Sequence, residues 1–563
     1  MRKAGSLTKK IVFMTFASVV LLSTVLAGCT SNSGNNGSGG SSNGTSSPSN
    51  RADEEKAPDR YDPPIELTTV TFDYGTDKFG EGDDLNNNAW TREIMDRYGI
   101  AINTLWSVPG AQYEQKSNLM IASNDLPDFF AVKPLQFAQL AKAGLIEDMT
   151  DAYSKHASEG IKKVMTESGE EPLQSATIDG RLMAIPWTGT VRESVPVLWI
   201  REDWLNKLGL QKPKTMDDLL AISKAFTEED PDGNGEDDTF GLAVAKDLAS
   251  LIGFFNGHHV YRGIWLKQED GTLAYSSIQP EMKAPLQKLQ DMYKEKQLDR
   301  EFGVKDLGKA FEMVGEGKIG MLYGSMGYST FPLVNLTPDQ EWTPVAAPSV
   351  DDKPTKFQHG LNIANYYWVV KKGTKHPEAI FKLIELWLEK FYYSTVDEDY
   401  NQFVVDQDGA TIWNNAPVKV YLSYNNVNLH RHLLPLLKKD GEATEQELAQ
   451  LTPTERVWYR SMIDYKNGDM KQWGRDRKAG INSSSAIVDE YIDNNQFMPD
   501  QFISTPTPAM AKKWANLLKM EDEMITNIIL GEPISQFDRF VSDWKKLGGD
   551  EITKEVNEWH DNQ

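Results

Sequence analysis

Residues 178–226 read IDGRLMAIPWTGTVRESVPVLWIREDWLNKLGLQKPKTMDDLLAISKAF. Ile178-Asp179-Gly180-Arg181 is a turn signal. Leu182–Pro186 reads as a short strand, and Trp187–Pro196 is polar and mixed, a crossing segment. Val197–Ile200 is a second apolar strand, and Arg201–Leu208 a helix closed by Gly209. After Pro213-Lys214, Thr215 is placed to cap another helix. Asp217 and Asp218 fall in its first turn, where the helix dipole favours acids.

The same grammar extends outward. Val70–Tyr74, Ile100–Trp106 and Pro127–Val132 read as strands. They alternate with helices over Asn88–Tyr98, Tyr113–Ala122 and Leu135–Ala143, the first and last stopped by Gly99 and Gly144. This alternation predicts βαβ units and a mainly parallel sheet. Downstream, a helix at Ala310–Gly317 leads into a strand at Lys318–Tyr323 and a glycine-rich loop, Gly324–Tyr328. Thr343–Pro348 is extended, Tyr366–Val370 a strand, Glu378–Lys390 a helix, and the chain beyond about residue 430 mostly helical, with no internal repeat.

A chain of 563 residues exceeds one compact core, so two or more domains are expected. Charged residues at 25% and hydrophobic residues at 40% are ordinary for a globular protein and exclude a disordered chain, a rod or a polytopic membrane protein. The 82 Asp+Glu outnumber the 59 Lys+Arg, which argues against nucleic acid as a partner, because phosphate binding needs a basic footprint. The single cysteine excludes an intrachain disulfide and a cysteine metal cluster.

That cysteine stands at a border. Residues 1–10 carry four positive charges and residues 11–28 none, the order of a secretory signal peptide. Leu26-Ala27-Gly28-Cys29 resembles the lipobox of bacterial lipoproteins. The resemblance implies cleavage after residue 28 and a diacylglyceryl group, with palmitate as a typical acyl chain, on Cys29. Loss of Arg2, Lys3, Lys9 and Lys10 with the leader takes the net charge from −23 to −27, so the lipid and not the protein face must hold the chain to anionic membrane. Residues 29–64 follow as a Gly/Ser/Asn-rich tether with a reach of roughly 30–35 Å. The expected location is the outer face of a bacterial cytoplasmic membrane.

Gly180–Pro186, Leu198–Leu205 with Pro213-Lys214-Thr215, Gly317–Met321 and Lys375-His376-Pro377-Glu378-Ala379 follow one another along the chain. In this order they resemble the extracellular solute-binding proteins (family 1) of ABC importers, in particular their large LipO-like oligosaccharide-binding group. The resemblance covers essentially all of the chain after residue 65. It implies an α/β fold of two lobes joined by crossing strands, with a hinge and a ligand cleft between the lobes. It places residues 65–190 and about 350–410 in lobe one and 191–349 in lobe two, with 411–563 a mainly helical part completing the lobes. Trp199 and Arg201 depart from the family's usual Tyr and Asn. The implied partners are an oligosaccharide and the permease subunits of an importer; the expected protein is a monomer and not an enzyme.

Asp230-Pro231-Asp232-Gly233-Asn234-Gly235-Glu236-Asp237-Asp238 matches the first half of an EF-hand loop, with Gly235 at the sharp turn. Gly241 replaces the bidentate Glu at position 12. Some oligosaccharide-binding relatives carry a similar loop, and the likeness implies a structural Ca²⁺ on Asp230, Asp232, Asn234, the Glu236 carbonyl and Asp238. Adjacent His258 and His259 point to opposite sides of an extended chain with no third ligand nearby, so no zinc is assigned.

Sugars present apolar faces and many hydroxyls, so their sites need aromatic platforms beside carboxylates, amides and Arg. The candidates among the 15 Trp and their neighbours are Trp187 with Arg192 and Glu193 in the crossing segment, Tyr328 in the glycine-rich loop, Trp265, Trp368, and Trp90 with Arg92 after the first strand. Two other functions compete with sugar capture. A surface glycoside hydrolase needs two carboxylates across a cleft, for which 82 acids offer no discrimination. A binding protein for peptide or another solute, or a sensory partner of a membrane kinase, is equally compatible with the fold.

Overall fold

Two hydrophobic cores organise residues 61–556. The computed structural model describes residues 58–73, 79–80, 82–336, 340–361, 363–405 and 411–562. The leader 1–28, Cys29 and the tether up to residue 57 lie outside them. Among the described residues no helix is long and apolar enough to cross a membrane.

The first core opens with β1 (Ile65–Asp73), paired in parallel with β2 (Ile100–Pro109). Between them α1 (Ala89–Tyr98) starts at Asn88, whose side chain accepts from the Trp90 and Thr91 amides, and ends at Gly99 in the left-handed region, φ 67°. β3 (Phe129–Val132) and β4 (Ile185–Thr188) are buried at every residue. The chain then passes to the second core. There β5 (Val197–Arg201) packs beside β6 (Phe240–Leu242), β7 (Ile319–Gly324) and β8 (Trp342–Val345) in the order β8-β5-β7-β6. α2 (Met216–Glu228) has the expected Thr215 cap, which accepts from the Asp218 amide.

β9 (Phe357–His359) leads the chain back, and β10 (Ile363–Val370) inserts between β3 and β4, antiparallel to both. The expectation of a mainly parallel sheet is corrected here. β3 and β4 run toward the second core, whereas β10 enters from it, so the returning strand must run the other way. α3 (Ala379–Leu388) then covers the first core, and Ala416, Val418 and Val420 finish it. From Tyr424 onward the buried residues belong to the second core or to a small cluster of their own. The helices of this part include α4 (Asn425–Leu437), α5 (Pro453–Lys466) and α6 (Pro508–Ile529). β11 (Phe497–Pro499) pairs in parallel with β9.

The chain thus crosses between cores three times, between Trp187 and Val195, Phe357 and Ile363, and Val420 and Tyr424. The crossings touch. Thr188 Oγ1 donates to the Tyr421 carbonyl at 2.8 Å, joining the first to the third. A Cβ on Gly189 would stand 2.9 Å from the Ile363 carbonyl carbon, so only glycine lets the first and second run this close.

Glu193, on the first crossing, is the strongest tie. Its Oε2 accepts from the Asn426 and Val427 amides at 2.9 and 3.1 Å, and Oε1 from the Asn426 side chain, so it caps the start of α4 just past the third crossing. The carboxyl is 1% exposed, and burial, only partly offset by these bonds and by Lys478, pushes it up to about 7. A carboxyl raised in the folded state holds a proton that the unfolded chain has already released, so stability falls as pH rises from 4.5 through 7. The expected loss is about 3 kcal/mol at this site. Glu193→Gln, which keeps acceptor and shape but does not ionise, should flatten the decline by that amount in urea melts at pH 5 and pH 8. Equal declines for both proteins would contradict the assignment.

Candidate functional site

The carboxyl end of β3 delivers Lys133, Pro134 and Leu135 to the boundary between lobes, and the start of β10 delivers Ile363 and Asn365 beside them. Facing them, the second lobe presents Trp265, the loop from Asp500 to Pro506, and one side of α6. Together these surfaces enclose a cleft of about 620 Å³, a size suited to a small organic ligand.

α6 makes one wall by helical spacing. Leu517, Ile525 and Ile528 are buried against the second core, while Met510, Ala511, Trp514, Ala515 and Leu518 line the cleft. Ala511 and Ala515 are small, so the half-buried Trp514 ring stands clear of its own helix. Trp265 lies nearly parallel to it, centroids 6.4 Å apart and planes at 20°, and Tyr275 packs edge-on to Trp514 at 5.0 Å.

A buried ionic network fixes this wall. Arg262 Nε donates to Glu521 Oε1 at 2.6 Å, its Nη2 donates to Asp522, and the Tyr275 hydroxyl donates to Glu521 Oε2 at 2.9 Å. The loop before Trp265 is thereby bound to α6. Asp500 Oδ1 accepts from the Trp265 and Phe502 amides at 2.9 and 3.0 Å. Burial outweighs those bonds and pushes the carboxyl up to about 6. On the opposite lobe the Lys133 ammonium sits 3.9 Å from the centre of the Tyr366 ring. The cleft therefore holds one half-buried indole backed by a buried one, an apolar floor and one buried carboxyl.

Of the residues singled out from sequence, Trp265 lies in the wall of this cleft, but at 2% exposed it supports Trp514 from behind and is not itself an open platform. Arg192 lies beside the cleft, in a narrow gap with His359, Leu361 and Asp500, its Nη2 3.4 Å from Glu171. Trp187 belongs to β4 and not to the crossing segment; it stacks on Trp368 at 5.1 Å, and both are buried in the first core. Trp368 also donates from Nε1 to the Lys419 carbonyl at 2.8 Å. Their reading as platforms is corrected to packing under the β-sheet. Trp90 is likewise core, 1% exposed between Trp387 and Phe403, while Arg92 is exposed and paired with Asp83 at 2.6 Å. Glu193 is consumed by the α4 cap. Tyr328 rests edge-on to Phe311 at 5.3 Å in the second lobe, away from the cleft residues, its ring against Gly324, where a Cβ would collide with it. Trp514 and Asp500 were not found in advance. The signal for Trp514 was present, a tryptophan between two alanines on an amphipathic helix; Asp500 has no local signal.

The 230–238 loop has the curl of a cation-binding loop. Asp230 Oδ1 accepts from the Gly233 and Asn234 amides, its Oδ2 accepts from the Gly235 amide at 3.1 Å, and Gly233 and Gly235 both have φ 81°. Asn234 Nδ2 donates to Asp232 Oδ2 at 2.9 Å and to Asp238 Oδ1 at 3.2 Å. Partial burial, and next the Asp230 and Asp238 carboxylates, push the Asp232 carboxyl up. Among the described residues no three acidic or imidazole side chains converge on one point. The loop offers two carboxylates bridged by an amide, a donor set that suits a hard cation once the amide oxygen turns inward. His258 packs on Phe254 at 4.8 Å while His259 Nε2 lies 2.9 Å from Asp351.

Residues 82–391 match the family model described as bacterial extracellular solute-binding protein. Among curated relatives, lipoprotein LipO of Bacillus subtilis is 30% identical over 241 residues, 41% of this chain and 45% of its own length. The fructooligosaccharide ABC transporter substrate-binding protein FusA of Streptococcus pneumoniae is 26% identical over 362 residues, 58% of this chain and 63% of its own. The polygalacturonan/rhamnogalacturonan-binding protein YtcQ of Bacillus subtilis is 24% identical over 485 residues, 83% of this chain and 87% of its own. The match thus spans about half to two thirds of the first two relatives. FusA in complex with kestose superposes with a TM-score of 0.58 at 18% identity, covering 88% of this chain and 100% of that one, which shows the fold. A FusA structure described as an EF-hand mutant, in complex with fructo-nystose, gives 0.57 at 17% identity, covering 88% of this chain and 98% of that one. With more than half of its length matched by that family model, the chain belongs to the bacterial extracellular solute-binding proteins.

Proposed function

We propose that this protein captures an oligosaccharide in the cleft between its lobes and hands it to an ABC permease. The observation that carries the reading is the cleft itself. Trp514, backed by the buried Trp265, supplies a platform for a pyranose or furanose face, and Asp500 and Asn365 stand beside it for hydroxyls. The walls come from different cores, so a bound ring bridges the lobes and favours the closed form. Relatives named for fructooligosaccharide and for polygalacturonan binding support the ligand class. The role is binding without turnover, by a monomer held to the outer face of the membrane through lipid on Cys29. The 230–238 loop would hold a structural calcium with Asp230, Asp232, Asn234, Glu236 and Asp238. The ion would rigidify the chain that follows α2.

Titration of the full chain with fructans, galacturonans and other plant and bacterial oligosaccharides should find one class that binds without product formation. Trp514→Ala should weaken that sugar by about 2 kcal/mol, roughly thirtyfold, with little change in melting temperature. Binding that ignores Trp514, or sugar breakdown in the hit samples, would overturn the reading. Calcium at 100 times its Kd should add about 2.7 kcal/mol to stability, and Asp230→Ala should abolish the gain. A melting temperature blind to calcium and to chelator would remove the ion from the account.

A further inference from the structure

A second cavity, of about 670 Å³, lies where the first lobe meets α4 and α5, and it shares no residue with the cleft. The first lobe contributes Phe391, Tyr392 and Tyr393, from the turn that follows α3, and α4 contributes Asn425, Asn428 and His432. The spacing 425, 428, 432 places these three side chains on one helical face. That face is polar, with Asn425 and His432 exposed at the mouth of the cavity and Asn428 half-buried within it.

Most charged groups around the cavity are already engaged, and Lys163, which makes no ion pair among the described residues, is exposed to solvent at the rim. Arg431 binds Asp489 at 2.5 Å, His432 Nδ1 lies 2.6 Å from Glu455, and Glu167 accepts from the Ser423 amide at 2.7 Å. The neutral groups are not. The side-chain amides of Asn425, Asn428 and Gln450 and the hydroxyl of Tyr393 make no hydrogen bond among the described residues, and Tyr393 is 52% exposed. What the cavity leaves available is therefore aromatic surface beside uncharged donors and acceptors. That combination suits a ligand with apolar faces and many hydroxyls, and the one cation left over among the described lining residues, Lys163, stands in solvent, where its charge is screened.

We propose that this cavity is a second binding site, for a short neutral carbohydrate. Its wall includes Leu422, on the third crossing, and Asn426, which bonds Glu193 on the first. An occupant would rest against the segments that bend when the lobes close, so the site is placed to bias closure.

Hydrogen–deuterium exchange of the full chain, with a millimolar panel of neutral glucose, galactose, xylose and fructose di- to tetrasaccharides, tests this directly. At least one sugar should slow exchange in 391–395 and 425–432 by about threefold or more. The effect should persist in Trp514→Ala and vanish in the Tyr393→Ala/Asn428→Ala double variant, whose melting temperature should match the parent's. Protection confined to 500–515 would sink this proposal and leave the cleft reading intact, whereas protection confined to 391–395 and 425–432 would do the reverse. No protection of 425–432 by any sugar of the panel, or protection that survives the double variant, would also overturn it.

Discussion

The buried Glu193 carboxylate joins the first passage between the lobes to the helix that begins just after the third. Three passages of one chain must lie side by side for two cores to share a hinge, and each constrains the others. Thr188 bonds Tyr421, Gly189 makes room for Ile363, and Glu193 fixes α4. The antiparallel entry of β10 is a consequence of the same topology. A carboxyl with its ionisation pushed toward neutrality is a costly tie, and here it satisfies three donors that the start of α4 would otherwise leave buried and unpaired.

The cleft follows from how the two lobes end. Strand ends in an α/β lobe leave loops and helix starts free to carry side chains, and β3 supplies its wall in this way. The other wall depends on α6, held by the Arg262–Glu521–Tyr275 network so that Trp514 and Trp265 stay nearly parallel. Pre-positioned aromatic rings lower the ordering cost of binding. The second cavity shows a different balance, with most charges engaged, Lys163 exposed at the rim and neutral groups left over.

Much of the fold was legible because its signals are local. Asn88 and Gly99 bound α1, Thr215 caps α2, and the apolar runs at 129–132 and 319–324 are the buried strands β3 and β7. The Asp179-Gly180 turn does connect a two-residue hairpin. The site was far less legible. Trp187, Trp368 and Trp90 have the composition of platforms, yet burial against Phe72, Trp387 and one another decided their role, and burial is set by residues far away in sequence. Trp514 and Asp500 reach the cleft only through packing of the C-terminal helices on the second core, which no local pattern announces.

The central claim is that a sugar sits on Trp514 between the two lobes. A crystal structure grown with the best-binding oligosaccharide tests it most directly. The account predicts a sugar ring stacked on the Trp514 indole, with Leu135 and Asn365 of the other lobe closed onto it. A bound sugar that leaves this cleft empty, or lobes that stay apart around it, would contradict the account.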